Sequence, residues 1–126
     1  VRLEVIGRRD RLAPRVLKAI LRAESATAAG SRMTLRVAID YSARHEISHA
    51  LAVSPPRPLG PDVDLVLRTS GERRLSDFLL WESAYAELAF IDTHWPDITT
   101  RELDQVLADF GRRERRFGAL PGRASA

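Results

Sequence analysis

An α/β fold, with a mainly parallel sheet flanked by helices, is what this sequence predicts, on three observations. Short apolar runs such as "VRLEVIG", "MTLRVAIDY" and "VDLVL" alternate with longer segments of helical periodicity. The 126 residues are enough for one domain with its own core. There is no cysteine, so neither a disulfide nor a thiolate metal site supports that core.

The elements follow in chain order. Residues 1–7 alternate and stop at Gly7, which reads as a strand. Residues 14–29 set Val16, Ile20, Leu21 and Ala28 near helical spacing, with Pro14 suited to a first turn and Gly30 to an end. Residues 33–41 make a second strand and 43–53 a short helix. The stretch "SPPRPLGPD" (54–62) has too many prolines for regular structure. Residues 63–69 make a third strand. Segment 77–90 is expected to begin as a helix behind a Ser76 or Asp77 cap, with "LAFID" continuing as a fourth strand. On that helix Phe78, Leu80, Trp81 and Tyr85 would face the core, with Tyr85 also a candidate for a dimer contact. Residues 99–117 close the fold as a helix capped by Thr99 or Thr100, with Leu103, Val106, Leu107 and Phe110 on one face. The domain is thus expected over 1–118, with 119–126 as a flexible tail.

Charge and composition narrow the function. Lysine and arginine total 20 against 17 acids, a net charge of +3, and Lys18 is the only lysine. Arginine suits phosphate through its rigid fork, although an arginine-rich composition also follows from a GC-rich genome. The basic residues lack interleaved aromatic rings, which argues against nucleic acid. The apolar stretch "FLLWESAYAELAF" is broken by Glu82 and Glu87, so no membrane span is expected. No signal peptide is visible and the first residue already lies in a strand, so a cytoplasmic piece of a longer protein, or a gene product without the usual front half, is expected.

One stretch concentrates chemistry. "RTSGERRLS" (68–76) follows the apolar run of the third strand, and in open α/β sheets ligands gather beyond the strands' carboxyl ends. Gly71 would let the backbone turn and expose N–H groups, and Ser76 would lead into a helix N-terminus, which favours anions. Arg68 and Arg74 could each bond a diphosphate bidentately. No P-loop or dinucleotide fingerprint is present. The alternative reading is a polar turn with solvated arginines.

The residues that follow carry a resemblance. "DLVLRTSGERRLSDFLLWESAYAELAFIDTHWPD" (64–97) resembles the signature region of the cis-prenyltransferases, the undecaprenyl diphosphate synthase family, and "RRERRFG" (112–118) resembles that family's C-terminal motif. "VRLEVIG", "AESATAAG" and "TLRVAIDYSARHEI" look like its middle section. The resemblance covers nearly the whole chain, as the C-terminal portion of the family domain. It implies that Arg68, Arg74 and Ser76 bind the diphosphate of isopentenyl diphosphate, that Glu87 helps hold Mg²⁺, and that Arg116 and Gly118 reach across a dimer interface toward the partner's substrate. Asp97, after "HWP", matches a family position for which capping is the safer role.

Departures from the family pattern matter as much. Where the family often carries a histidine that assists the metal, this chain has Arg73, which cannot be a ligand. His45, His49 and His94 are scattered and suggest no metal site. The loop at 54–62 is shorter than the family's connection. The family's first-strand motif, Asp-Gly-Asn-x-Arg-Trp-Ala, is absent, and with it the groups that the resemblance assigns to the allylic diphosphate.

Two functional readings result. In one, the chain is a fragment or truncated subunit of a Mg²⁺-dependent prenyltransferase that condenses isopentenyl diphosphate with an allylic diphosphate to a cis-polyprenyl diphosphate, inactive alone because positioning both substrates supplies much of the rate. In the other, it is a non-catalytic, dimer-forming accessory subunit. Either implies a homodimer, or a heteromer with a chain supplying the allylic site. A lipid product would also imply peripheral membrane contact. A parallel sheet without its full cover should expose apolar surface.

Overall fold

The computed structural model describes residues 1–55 and 58–118, so the expected tail at 119–126 lies outside the described residues. The elements are β1 (Arg2–Ile6), α1 (Pro14–Thr27), β2 (Thr34–Ala38), α2 (Ala43–Ala52), β3 (Leu65–Arg68), β4 (Glu87–Phe90), a 3₁₀ turn at Trp95–Asp97 and α3 (Thr100–Arg112). All pairing is parallel, as predicted, in two sheets of two strands each: β1 with β2, and β3 with β4. The chain divides into two compact units. One comprises Val1–Leu59 and Asp77–Leu79, the other Gly60–Ser76 and Leu80–Ala126.

The first unit is a strand–helix–strand crossover followed by α2. Arg2 stands opposite Thr34 and Ile6 opposite Ala38. Pro14 opens α1, where its missing N–H costs nothing, and Ile20 on α1 is buried. Two side chains of α1 also satisfy N–H groups of β1. Leu3 N–H donates to Thr27 Oγ1 at 3.0 Å and Val5 N–H to Glu24 Oε1 at 2.9 Å. An exposed strand edge is a template for unwanted pairing, and here α1 uses up those donors. Ser42 caps α2, its Oγ accepting from His45 N–H at 3.1 Å, and Ala43 and Ala50 are the buried residues of that helix.

The second unit holds β3 and β4, in register from Leu65 opposite Glu87 to Arg68 opposite Phe90. Beyond the strands, Ser70 N–H donates to Thr93 O and Gly71 N–H to Ile91 O, both at 3.0 Å. Thr99 begins α3 with a reciprocal capping box. Glu102 N–H donates to Thr99 Oγ1 at 3.3 Å, and Thr99 N–H to Glu102 Oε2 at 3.0 Å.

Segment 77–90 departs from the expected helix. Ser76, Asp77 and Leu79 adopt φ of +50°, +61° and +47°, a conformation no right-handed helix contains. The cause is tertiary. Asp77 caps α2 from 35 positions away in sequence, its Oδ2 accepting from Ser42 Oγ at 2.5 Å and its Oδ1 from Arg44 N–H at 2.9 Å. Its carbonyl accepts Ala43 N–H at 2.9 Å, and Phe78 packs edge-on against Tyr41 at 5.7 Å. Regular structure resumes only as β4. The predicted core role of Phe78, Leu80, Trp81 and Tyr85 is therefore lost, and Trp81 and Tyr85 are more than 60 % exposed. Val16, Leu21, Leu103 and Leu107 on the apolar stripes of α1 and α3 are exposed too, as are Leu35 and Val37 of β2.

Candidate functional site

The carboxyl end of β3 carries the residues that the sequence singles out. Arg68 is the last residue of the strand, and its Nη1 donates to Ser76 Oγ at 2.9 Å and to the carbonyl of Arg74. These two bonds close residues 68–76 into a loop and bring the Arg68 guanidinium to the Ser76 hydroxyl and the Arg74 backbone. Ser70 and Gly71, with φ of +67° and +69°, make the turn that reverses the chain. A Cβ on Gly71 would stand 3.3 Å from Asp92 Oδ1, so Asp92 lies beside this turn. Arg74 pairs with Glu72, and both side chains are well exposed, at 62 % and 39 %.

Two parts of the expected anion cradle are absent. The N–H groups of Ser70 and Gly71 are spent on the carbonyls that leave β4, so the turn offers no free nest there. Ser76 leads into no helix, so no helix dipole begins at the end of the loop. What remains is the Arg68 guanidinium on the Ser76 hydroxyl, with the Arg74 guanidinium exposed on the same loop, a side-chain cradle suited to an anion with several oxygens.

Glu87 sits elsewhere. It opens β4 opposite Leu65, while Arg68 stands opposite Phe90, so three residues of strand separate it from the cradle, about 10 Å. Its Oε2 accepts from Arg113 Nη1 at 3.0 Å, and the same guanidinium reaches Leu88 O at 3.0 Å and Asp109 Oδ2 at 2.7 Å. The bonds to Asp109 and then to Glu87 raise the pKa of Arg113, and the bond from Arg113 holds Asp109 below the usual carboxylate range. Glu87 is thus committed to an ion pair at the amino end of the strands, and among the described residues no group of three or more His, Asp or Glu side chains converges on a metal-sized space. The donor set does not fit a Mg²⁺ ion held by Glu87 over this chain's own cradle.

The remaining expected residues lie beyond α3. Arg116 pairs with Glu114 at 3.1 Å on the surface, and Phe117 and Gly118 follow in consecutive left-handed conformations, with φ of +45° and +81°. Arg115 pairs with Asp64 and lies over the Phe117 ring at 4.7 Å. Asp97 ends the 3₁₀ turn, exposed, its N–H donating to His94 O at 2.9 Å.

Two grooves were not foreseen. One, in the second unit, runs between β4 and α3 and is lined by Arg73, Asp92, Thr93, Gln105, Asp109 and Arg113 among others. The other, in the first unit, lies past the end of β1 and is lined by Arg8, Arg9, Asp10, His45, Glu46 and His49. There the two histidines stand one helical turn apart, rings 6.1 Å apart, a spacing that their i, i+4 positions encode. The arginines of that groove are already neutralised, Arg8 by Asp10 at 2.5 Å and Arg9 by Glu24 at 2.6 Å.

Known proteins resemble this chain in sequence and in fold. The family model described as "Putative undecaprenyl diphosphate synthase" matches residues 1–55 and 56–118, two pieces meeting inside the short proline-rich loop. Isoprenyl transferase 1 of Bradyrhizobium diazoefficiens is 52% identical, over 95% of this chain and 55% of its own length. The isoprenyl transferase of Aquifex aeolicus is 41% identical, over 95% of this chain and 59% of its own. Among solved structures, a probable undecaprenyl diphosphate synthase from Campylobacter jejuni superposes with a TM-score of 0.85 at 36% identity, covering 94% of this chain and 63% of that one. Lavandulyl diphosphate synthase from Lavandula x intermedia, solved in complex with dimethylallyl diphosphate, gives 0.79 at 27% identity, covering 94% and 60%. The chain spans a little over half the length of these relatives.

Proposed function

Since the chain belongs to the undecaprenyl diphosphate synthase family of prenyltransferases, we propose that its cradle holds the diphosphate of isopentenyl diphosphate during prenyl transfer. The observation that carries this is the bond from Arg68 to Ser76 Oγ at 2.9 Å at the carboxyl end of β3, on the loop that also carries the exposed Arg74. In the reaction, the allylic diphosphate leaves its prenyl carbon, a carbon–carbon bond forms to the homoallylic double bond, and a proton is lost to set a cis double bond. The part of this chain is to bind and orient. Arg68 and Arg74 give the homoallylic diphosphate fixed, charged donors, and Ser76 adds a hydroxyl. Held so, the homoallylic carbon is presented to the allylic partner, and positioning of this kind accounts for a large share of rate.

The Asp-Gly-Asn-x-Arg-Trp-Ala motif is not among these 126 residues, and we assign the allylic substrate, with any divalent cation that its diphosphate requires, to groups beyond them. We therefore read the chain as a fragment or truncated subunit, inactive alone, that works as a homodimer or with a chain supplying the allylic site. The experiment is calorimetric titration with isopentenyl diphosphate, on the chain and on Arg74→Ala. Binding that weakens by about tenfold in the variant is expected. A folded sample that binds nothing would reject the reading.

A second reading, a non-catalytic accessory subunit, has one observation in its favour. Arg116 is about half exposed and is followed by two left-handed residues, which leaves it on an outward turn available to another chain. The same titration separates the two, since an accessory subunit has no need of a working cradle.

A further inference from the structure

We propose that the homoallylic half-site of this chain takes its diphosphate without a divalent cation, the charge being met by arginine alone. The inference rests on the cradle reading above and goes further by removing the metal from it. Four residues of the second unit bear on a cation at this loop, by motif or by position, and each is placed against it. Glu87 stands about 10 Å along the strand from the cradle and is bound to Arg113 at 3.0 Å. Glu72 is paired with Arg74. Position 73 is an arginine, which cannot coordinate a metal and repels one. Asp92, the carboxylate beside the Gly71 turn, lines the same groove as that Arg73 cation.

The ligand side of the balance agrees. Mg²⁺ at a diphosphate site works by neutralising phosphate oxygens while one or two carboxylates hold the ion. Here those carboxylates are engaged or opposed, whereas Arg68, Arg73 and Arg74 fall within seven residues of one loop. Guanidinium groups bond phosphate oxygens directly, two at a time, and need no ion between.

The test is isothermal titration of the chain with inorganic pyrophosphate, once in EDTA and once in Mg²⁺, repeated for Arg74→Ala and Glu87→Gln. Dissociation constants that agree within about threefold between the two buffers are expected, with a loss of about tenfold in Arg74→Ala and no loss in Glu87→Gln. Binding seen only with Mg²⁺ overturns the proposal while leaving the cradle standing. Binding in neither buffer removes the cradle reading and this inference with it. The comparison of buffers on the unaltered chain needs no variant, so it decides the matter even where Glu87→Gln fails to fold.

Discussion

Glu24 on α1 joins Val5 of β1 to Arg9 beyond it: one carboxylate oxygen accepts Val5 N–H at 2.9 Å and Arg9 Nη2 at 2.6 Å, and the other accepts Arg9 Nη1 at 3.0 Å. A helix side chain here does what a neighbouring strand would do, and an ion pair keeps it in place. Its removal leaves a strand N–H without its partner. Glu24→Ala, which removes the acceptor outright, is expected to lower stability by about 1 kcal/mol, read as the midpoint of urea unfolding. An unchanged midpoint would show that water serves Val5 equally well.

The same carboxylate sets an acid limit. The hydrogen bond from Arg9, and then that from Val5, hold Glu24 below its ordinary value, the Ser42 hydroxyl does so for Asp77, and Arg8 brings Asp10 down to about 2. Groups depressed in the folded state contribute stability that is complete above their unfolded pKa and lost as pH falls toward the folded one. Unfolding midpoints should therefore be level from neutrality to about pH 5 and drop below it. Glu24→Gln should flatten that acid limb, and a limb as steep as in the unaltered chain would point to other carboxylates.

The capping box of α3 gives a third expectation. Thr99→Ala removes the acceptor for Glu102 N–H and should cost about 1 kcal/mol. Because Glu102 also accepts from the Thr93 hydroxyl, Thr93→Val should shift the unfolding midpoint the same way. Two variants that unfold like the unaltered chain would mean that the box frays in solution.

Arg74 and Glu72 supply a fourth. An incoming diphosphate must displace the Glu72 carboxylate from Arg74. An exposed pair of this kind is weak, so Glu72→Gln should tighten pyrophosphate binding by only about threefold, measured by the same titration. Weaker binding in Glu72→Gln would mean that Glu72 orients Arg74 for the ligand.

What the sequence disclosed and what it hid divide along a physical line. Local signals were legible: Pro14 at a first turn, Thr99 with Glu102 as a cap, and β-branched runs as parallel strands. Arg68, Arg74 and Ser76 were legible as a group because all three sit on one loop. The failures were tertiary. Asp77 reads locally as the start of a helix, and only the distant N-terminus of α2 shows why it turns the other way. The place of Glu87 was hidden as well, since only strand register shows that it opens β4 at the end away from Arg68. The likelihood of an anion nest at Gly71 could not be judged without knowing that Ile91 takes its N–H.

The detour of residues 77–79 into the first unit has a consequence for making this protein in pieces. The chain passes between the units at 59–60, again at 76–77 and again at 79–80. No single stop codon or protease cut yields either unit both whole and free of the other's residues. A gene for residues 1–59 would encode α2 without the aspartate that accepts Ala43 and Arg44 N–H. During synthesis, too, that helix is translated before the aspartate that caps it.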